Sequence, residues 1–208
     1  MMKEPLSRCF GLDRGTPIDR YYIEQFLSQH RALIRGDVLE VGGDRRYGQK
    51  FGTPATYSLL NLTAEAEGDT TIIGDLSRAT LLEKVGPFDC IICTQVLNVI
   101  LDVPQAVLGL AHLLKPGGNV LCSVSGISQV SRYDRERWGH FWGFYPQGAL
   151  QLFERHFPKV EVNSFGNLPI AVAFLHGRSL EDLLDVETAT LDQSDPDYPV
   201  TITVRASK

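Results

Sequence analysis

Apolar positions along this chain follow two periods, one helical and one strand-like, and the two alternate. Over residues 17–34, Ile18, Tyr22, Phe26 and Leu27 recur at helical spacing with Ile23 and Leu33 nearby, which predicts an amphipathic helix with Pro17 near its first turn. "DVLEV" (37–41) is a short apolar run that ends in glycine and reads as a buried strand. "TYSLL" (56–60) and "TTII" (70–73) read as two more, the second closed by Gly74 and Asp75. "SRATLLEKV" (77–85) predicts a short helix with Ser77 as its N-cap. "FDCIICT" (88–94) is a fourth strand and "NVLCSVS" (119–125) a fifth. Between them "VPQAVLGLAHLLKPGG" (103–118) sets Ala106, Leu110, Leu113 and Leu114 on one face of a helix stopped by Pro116 and two glycines.

Strands that alternate with helices at this pace predict an α/β fold of right-handed βαβ units, with a mostly parallel sheet covered on both faces. After Ser125 the texture changes. "GISQVSRYDRERWGHFWGFYPQG" is polar, aromatic and glycine-rich, and too long for a mere connector. A helix (147–157), a strand (159–165) and a second apolar helix (168–177) follow, then an acidic stretch over 179–199. The chain closes on "VTITVRA" (200–206), which alternates as a half-exposed strand should.

Composition changes this picture little. The 208 residues suit one well-buried domain over 1–208, with no repeat and no linker to divide it. A formal charge of −5 argues against nucleic acid or an anionic membrane as partner. No stretch has the length and apolarity of a signal peptide or a membrane span, so the expected location is the cytoplasm. "CIIC" places Cys90 and Cys93 three apart in a strand, on opposite faces, where they cannot chelate one metal. No carboxylate and histidine cluster suggests another metal site, and buried reduced thiols are expected.

The chemistry gathers where strands end. Glu40, Gly42 and Gly43 close the first strand, Asn61 follows the second, Asp75 and Leu76 the third, and Thr94 and Gln95 the fourth. Ligands of open α/β sheets bind beyond the carboxyl ends of the strands, which points to one shared pocket. Each residue also has a plain structural reading: a tight turn for the glycines, a helix cap for Asp75, a packed strand end for Thr94 and Gln95.

"VLEVGG", "GDLS" and the block "FDCIICTQVLNVILDVPQAVLGLAHLLKPGGNVLCSVSG" together resemble the class I S-adenosylmethionine-dependent methyltransferases over 18–165. The stretch "SQVSRYDRERWGHFWGF", with "AVAFLHG" and "DPDYPVTITVRA", is further similar to bacterial methyltransferases found with polysaccharide and glycosyltransferase genes. The resemblance implies a Rossmann-like, doubly wound sheet of seven strands, the last antiparallel, with S-adenosyl-L-methionine over the first four. It implies that helix 17–34 lies over the cofactor site, and that Glu40 anchors the methionine amino end while Gly42 and Gly43 let the backbone approach it. It also gives Asp75 the adenine amino group, Leu76 a place beside it, and Thr94 and Gln95 the pocket wall.

Two departures from the family pattern stand out. Asp44 and Arg46 replace the later glycines of the first motif, and Asn61 stands where an acidic residue usually grips the ribose. An amide can hydrogen-bond a hydroxyl, without the charge-assisted component.

Segment 126–146 falls where such enzymes place their acceptor loop. Tyr133, Arg137, Trp138 and Trp142 are the candidate acceptor contacts, since aromatic faces suit the apolar C–H faces of sugar rings; an aromatic plug on the domain is the alternative. His140 is the expected general base, with Asp134 next. The expected reaction is O-methylation of a sugar or other small polar hydroxyl acceptor. A secondary-metabolite acceptor and a catalytically silent binding module are the other readings, and monomer and homodimer both stay open.

Overall fold

The structure is a computed structural model that describes residues 4–42, 46–63, 71–78 and 85–208. Gly43 and Asp44, and most of the helix expected over 77–85, lie outside the described residues.

Seven strands form one sheet: β1 (Arg35–Val41), β2 (Thr53–Asn61), β3 (Thr71–Ile73), β4 (Phe88–Thr94), β5 (Leu114–Ser125), β6 (Lys159–Phe165) and β7 (Thr201–Ser207). Their order is β3-β2-β1-β4-β5-β7-β6. The first five run parallel, while β7 lies antiparallel to both β5 and β6. This is the Rossmann-like sheet expected of a class I methyltransferase. The chain leaves β1 toward β2 and β3, then returns to place β4 on the other side of β1, so order reverses beside β1 and opens a crevice at its carboxyl end.

Seven α-helices are present among the described residues: α1 (Ile18–Gln29), α2 (Tyr47–Phe51), α3 (Val103–Leu113), α4 (Arg132–Arg137), α5 (Pro146–Glu154), α6 (Leu168–His176) and α7 (Asp185–Thr190). One face packs Leu39, Ile91, Val120 and Val204 against Ala106, Leu110 of α3 and Phe153 of α5. The other packs Val38, Ile92 and Leu121 against Ile23, Phe26 and Leu27 of α1. Further along that face Ile18 and Tyr22 of α1 meet Ile170 and Phe174 of α6. Cys90 and Cys93 fall in different cores, as residues three apart in a strand must. Burial pushes the Cys90 thiol up to about 12, and a thiol hydrogen bond with Cys93, together with burial, raises that of Cys122.

Element ends differ from the sequence pattern where local chemistry intervenes. The first helix stops at Gln29 and a 3-10 turn covers Arg31–Leu33. Helix α3 starts on an Asp102 cap and ends at Leu113. "LKPGG" opens β5 instead of closing the helix: Leu114 pairs with Phe88, and Lys115 bridges Asp37 and Asp89 at 2.7 and 2.9 Å. No described helix is long and apolar enough to cross a membrane.

Candidate functional site

The crevice beside β1 opens into a cleft of about 1620 Å³ at the carboxyl ends of β1, β2 and β4. Its floor is built from strand ends. Glu40 is the last inward-facing polar residue of β1 and only 2 % exposed. Its Oε2 accepts the Tyr57 hydroxyl at 2.6 Å and the Gly48 N–H at 3.0 Å, so β2 and the start of α2 hold the carboxylate in place. Burial, then the bond to Glu40, pushes the Tyr57 phenol well above its usual range, so it stays a donor. Gly48 is needed there, because a Cβ would stand 2.5 Å from the Tyr57 ring.

Gly42 follows at φ +67° and donates its N–H to the Leu60 carbonyl at 2.8 Å. That left-handed turn ends the strand and bares the backbone to the cleft. Asn61 lines the cleft from β2, and its amide nitrogen is buried without a hydrogen-bond partner among the described residues. Gln95 repeats that state at the end of β4: its side-chain nitrogen is buried and unpartnered, and its backbone sits at φ +57° while its N–H holds the Ser123 carbonyl at 2.8 Å. Strained non-glycine backbone of this kind collects at ligand sites.

Asp75 lines the cleft and caps the next turn as well, its Oδ1 accepting Ser77 N–H at 2.9 Å and Ser77 Oγ at 2.7 Å. A carboxylate has lone pairs left for a further donor. Leu76, 3 % exposed, and Thr94 complete this part of the wall.

Two walls rise from the floor. The first is an N-terminal arm that the sequence pattern did not single out: Leu6, Cys9, Phe10 and Asp13 line the cleft beside Asp19 and Arg20 of α1. The arm is strapped to 176–182. Leu6 N–H reaches the His176 carbonyl at 2.8 Å, Thr16 N–H reaches Glu181, and Arg14 forks onto Asp182 at 2.5 and 2.9 Å. The hydrogen bond from Arg14 holds the Asp182 carboxyl down at about 2. Gly11 and Gly177 permit the contact, since a Cβ on either would strike backbone at 2.7 and 2.4 Å. The glycines at 11 and 15 were the sequence signal for such a turn.

The second wall is segment 126–146. Tyr133, Asp134 and Trp138 line the cleft, and Phe141, which the sequence pattern passed over, joins them. The Asp134 carboxylate has no hydrogen bond or ion pair among the described residues. Arg137, Trp142 and His140 fall outside the lining. Arg137 lies over the Tyr133 ring, 3.6 Å from its centroid. Trp142 turns its indole N–H to the carbonyls of Ile100 and Leu101 at 3.0 and 3.2 Å. His140 Nδ1 accepts the Ser131 N–H at 3.2 Å, which ties the loop to itself and leaves the neutral ring's proton on Nε2.

A family model described as "Methyltransferase domain" matches residues 20–166. The chain belongs to that family. Solved methyltransferases share the fold at low identity. N-methyltransferase NodS from Bradyrhizobium japonicum WM9, in complex with S-adenosyl-L-homocysteine, is 14 % identical over 93 % of this chain and 89 % of its own, with a TM-score of 0.58. A SAM-dependent methyltransferase from Thermotoga maritima, a possible histamine N-methyltransferase, is 13 % identical over 92 % and 91 %, with a TM-score of 0.62. The [4+2]-cyclase SpnF is 14 % identical over 100 % and 88 %, with a TM-score of 0.55, so this fold also carries chemistry of another kind. No curated protein matches the sequence.

S-adenosyl-L-methionine is the cofactor of this methyltransferase family and fold. The residues present fit it. The cleft is lined by a fixed carboxylate at Glu40, bare backbone at Gly42, and the amides of Asn61 and Gln95, whose side-chain nitrogens are buried without partners among the described residues. Buried polar groups are rarely left without partners, and a ligand rich in hydroxyls and carboxylate supplies them.

Proposed function

We propose that this methyltransferase transfers the methyl of S-adenosylmethionine to a hydroxyl of a sugar or another small polar acceptor. The bound cofactor supplies a methyl on a sulfonium, open to in-line displacement. The chain supplies alignment and proton transfer. Glu40 holds the methionine amino group and Gly42 lets backbone approach that end. Asn61 donates to the ribose in place of the family's carboxylate, Asp75 accepts from the adenine amino group, and Leu76 packs beside it. Thr94 and Gln95 shape the remaining wall.

The observation that carries the acceptor reading is Asp134, a carboxylate without a partner among the described residues that lines the cleft together with Tyr133, Trp138 and Phe141. Aromatic faces seat the apolar side of a sugar ring, and the carboxylate takes the proton of the attacking hydroxyl. Asp134 serves this role better than His140, whose Nδ1 is engaged by the Ser131 N–H. The similarity to methyltransferases found with polysaccharide genes supports a sugar acceptor over a secondary metabolite.

The test is methyl transfer from labelled S-adenosylmethionine to a panel of sugars, sugar nucleotides and amines. Label on a hydroxyl, and a loss of about 10²–10⁴ in turnover for Asp134→Asn, are the expected results. Label confined to amines overturns O-methylation, and unchanged turnover removes Asp134 from the role.

A further inference from the structure

Asn98 sits in the apolar run "VLNVIL", in the 3-10 turn Leu97–Val99 that follows the Gln95 end of β4. It is 2 % exposed, and every polar atom that it carries on its side chain is used. Oδ1 accepts the Ser125 N–H at 3.2 Å, and Nδ2 donates to Ser125 Oγ at 2.8 Å and to the Trp142 carbonyl at 2.7 Å. Its backbone carbonyl accepts Phe141 N–H at 2.9 Å and Trp142 N–H at 3.2 Å. Ser125 adds its own tie, its carbonyl accepting Phe144 N–H at 2.9 Å.

One amide therefore closes the neck of the loop between β5 and α5, and it fixes that neck to the turn that carries Val96, Val99 and Ile100 into the cleft. Phe141, which takes part in the neck, also lines the cleft. The orientation of the amide is unique, because the Ser125 N–H can only donate and the Trp142 carbonyl can only accept.

We propose that Asn98 is a positioning residue that sets the acceptor wall, residues 131–142, against the cofactor floor. It touches neither reactant and acts through Phe141 and Trp142. The role rests on the methyl-transfer reading above, whereas the clamp itself is testable without it. The only two tryptophans of the chain, Trp138 and Trp142, both lie in this wall, so intrinsic fluorescence reports on it alone.

The experiment compares wild type with Asn98→Ala, Asn98→Asp and Ser125→Ala in the full chain, with S-adenosylhomocysteine as the cofactor probe. Asn98→Asp keeps the size and the acceptor for Ser125 N–H but sets an oxygen against the Trp142 carbonyl, and it is expected to open the wall as Asn98→Ala does. In both, tryptophan emission moves to the red and acrylamide quenching rises. Trypsin cleaves after Arg132, Arg135 and Arg137 about tenfold faster, as local opening loses a buried hydrogen bond. Binding of S-adenosylhomocysteine stays near wild type, and with an active acceptor the acceptor KM rises while the cofactor KM holds. Ser125→Ala, which loses only the hydroxyl that accepts from Asn98 Nδ2, shows a smaller change in the same direction and keeps the test readable if Asn98→Ala fails to fold. Unchanged fluorescence and cleavage overturn the clamp. Cofactor affinity that falls in step with the tryptophan signals overturns the positioning role. A wild type that binds no S-adenosylhomocysteine defeats the methyl-transfer reading instead, while the tryptophan results still judge the clamp.

Discussion

Removing one oxygen beneath the cleft, by Tyr57→Phe, tests how Glu40 is held. The lost contact is a 2.6 Å bond from a buried phenol to a buried carboxylate. Bonds to charged groups contribute about 1.5–3 kcal/mol, against about 1 kcal/mol for a neutral pair. The carboxylate keeps the Gly48 N–H but faces a ring edge where the hydroxyl was, so the cost belongs toward the upper part of that range. In a chain of this length about 2.5 kcal/mol lowers Tm by roughly 5–10 °C. Tyr22→Phe is the internal control, since its hydroxyl donates to the neutral Leu191 carbonyl at 2.7 Å, away from the cleft. Urea denaturation gives the two stabilities and calorimetry the affinity for S-adenosylhomocysteine. Tyr57→Phe should cost more than Tyr22→Phe, and it alone should weaken binding, by about tenfold for each 1.4 kcal/mol of lost positioning. Equal costs, or full affinity in Tyr57→Phe, would refute the argument that Glu40 is a cofactor group held by Tyr57.

Three further outcomes follow from named contacts. Gly42→Ala puts a Cβ 3.0 Å from Val96 Cγ2 in left-handed backbone, and denaturation should show a loss of about 1–2 kcal/mol; an unchanged midpoint speaks against that turn. Asp182 has its carboxyl lowered to about 2 from an unfolded value near 3.9, so its contribution is complete above pH ~4 and disappears as pH falls through about 2. Melting curves of wild type should therefore fall over that window more steeply than those of Arg14→Ala, and parallel curves contradict the arm's attachment. A thiol reagent should titrate one of the four cysteines in the folded protein, Cys9, and all four after denaturation, because Cys90, Cys93 and Cys122 are buried; rapid reaction of more than one contradicts the packing.

The sheet was legible because its central strands are continuous apolar runs separated by helical patterns, and packing on both faces demands that composition. That Glu40, Asn61, Asp75 and Gln95 line one cleft was legible for the same reason, since each stands at the end of such a run. Element ends were less so. "LKPGG" carries stop signals that suit a helix, yet Leu114 pairs with Phe88 and the Lys115 ion pairs extend the strand backward. The walls were the hardest part. Segment 126–146 declared its aromatics but not their directions: Trp138 and Phe141 line the cleft, while Trp142 and His140 tie the loop down. The arm over 5–16 has no period at all and owes its place to the Leu6 bond to the His176 carbonyl and to the contacts of Arg14 with Asp182 and of Thr16 with Glu181. Asn98 left one signal, a lone amide in an apolar run, which a buried and fully bonded position explains.

The central claim is that the ends of β1, β2 and β4 form a cofactor site despite the altered glycine motif. Calorimetric titration of the full chain with S-adenosylhomocysteine tests it most directly. A single saturable site, weakened by Glu40→Gln and by Gln95→Ala, is the predicted result. No binding at millimolar concentration, from a protein that melts cooperatively, would contradict it.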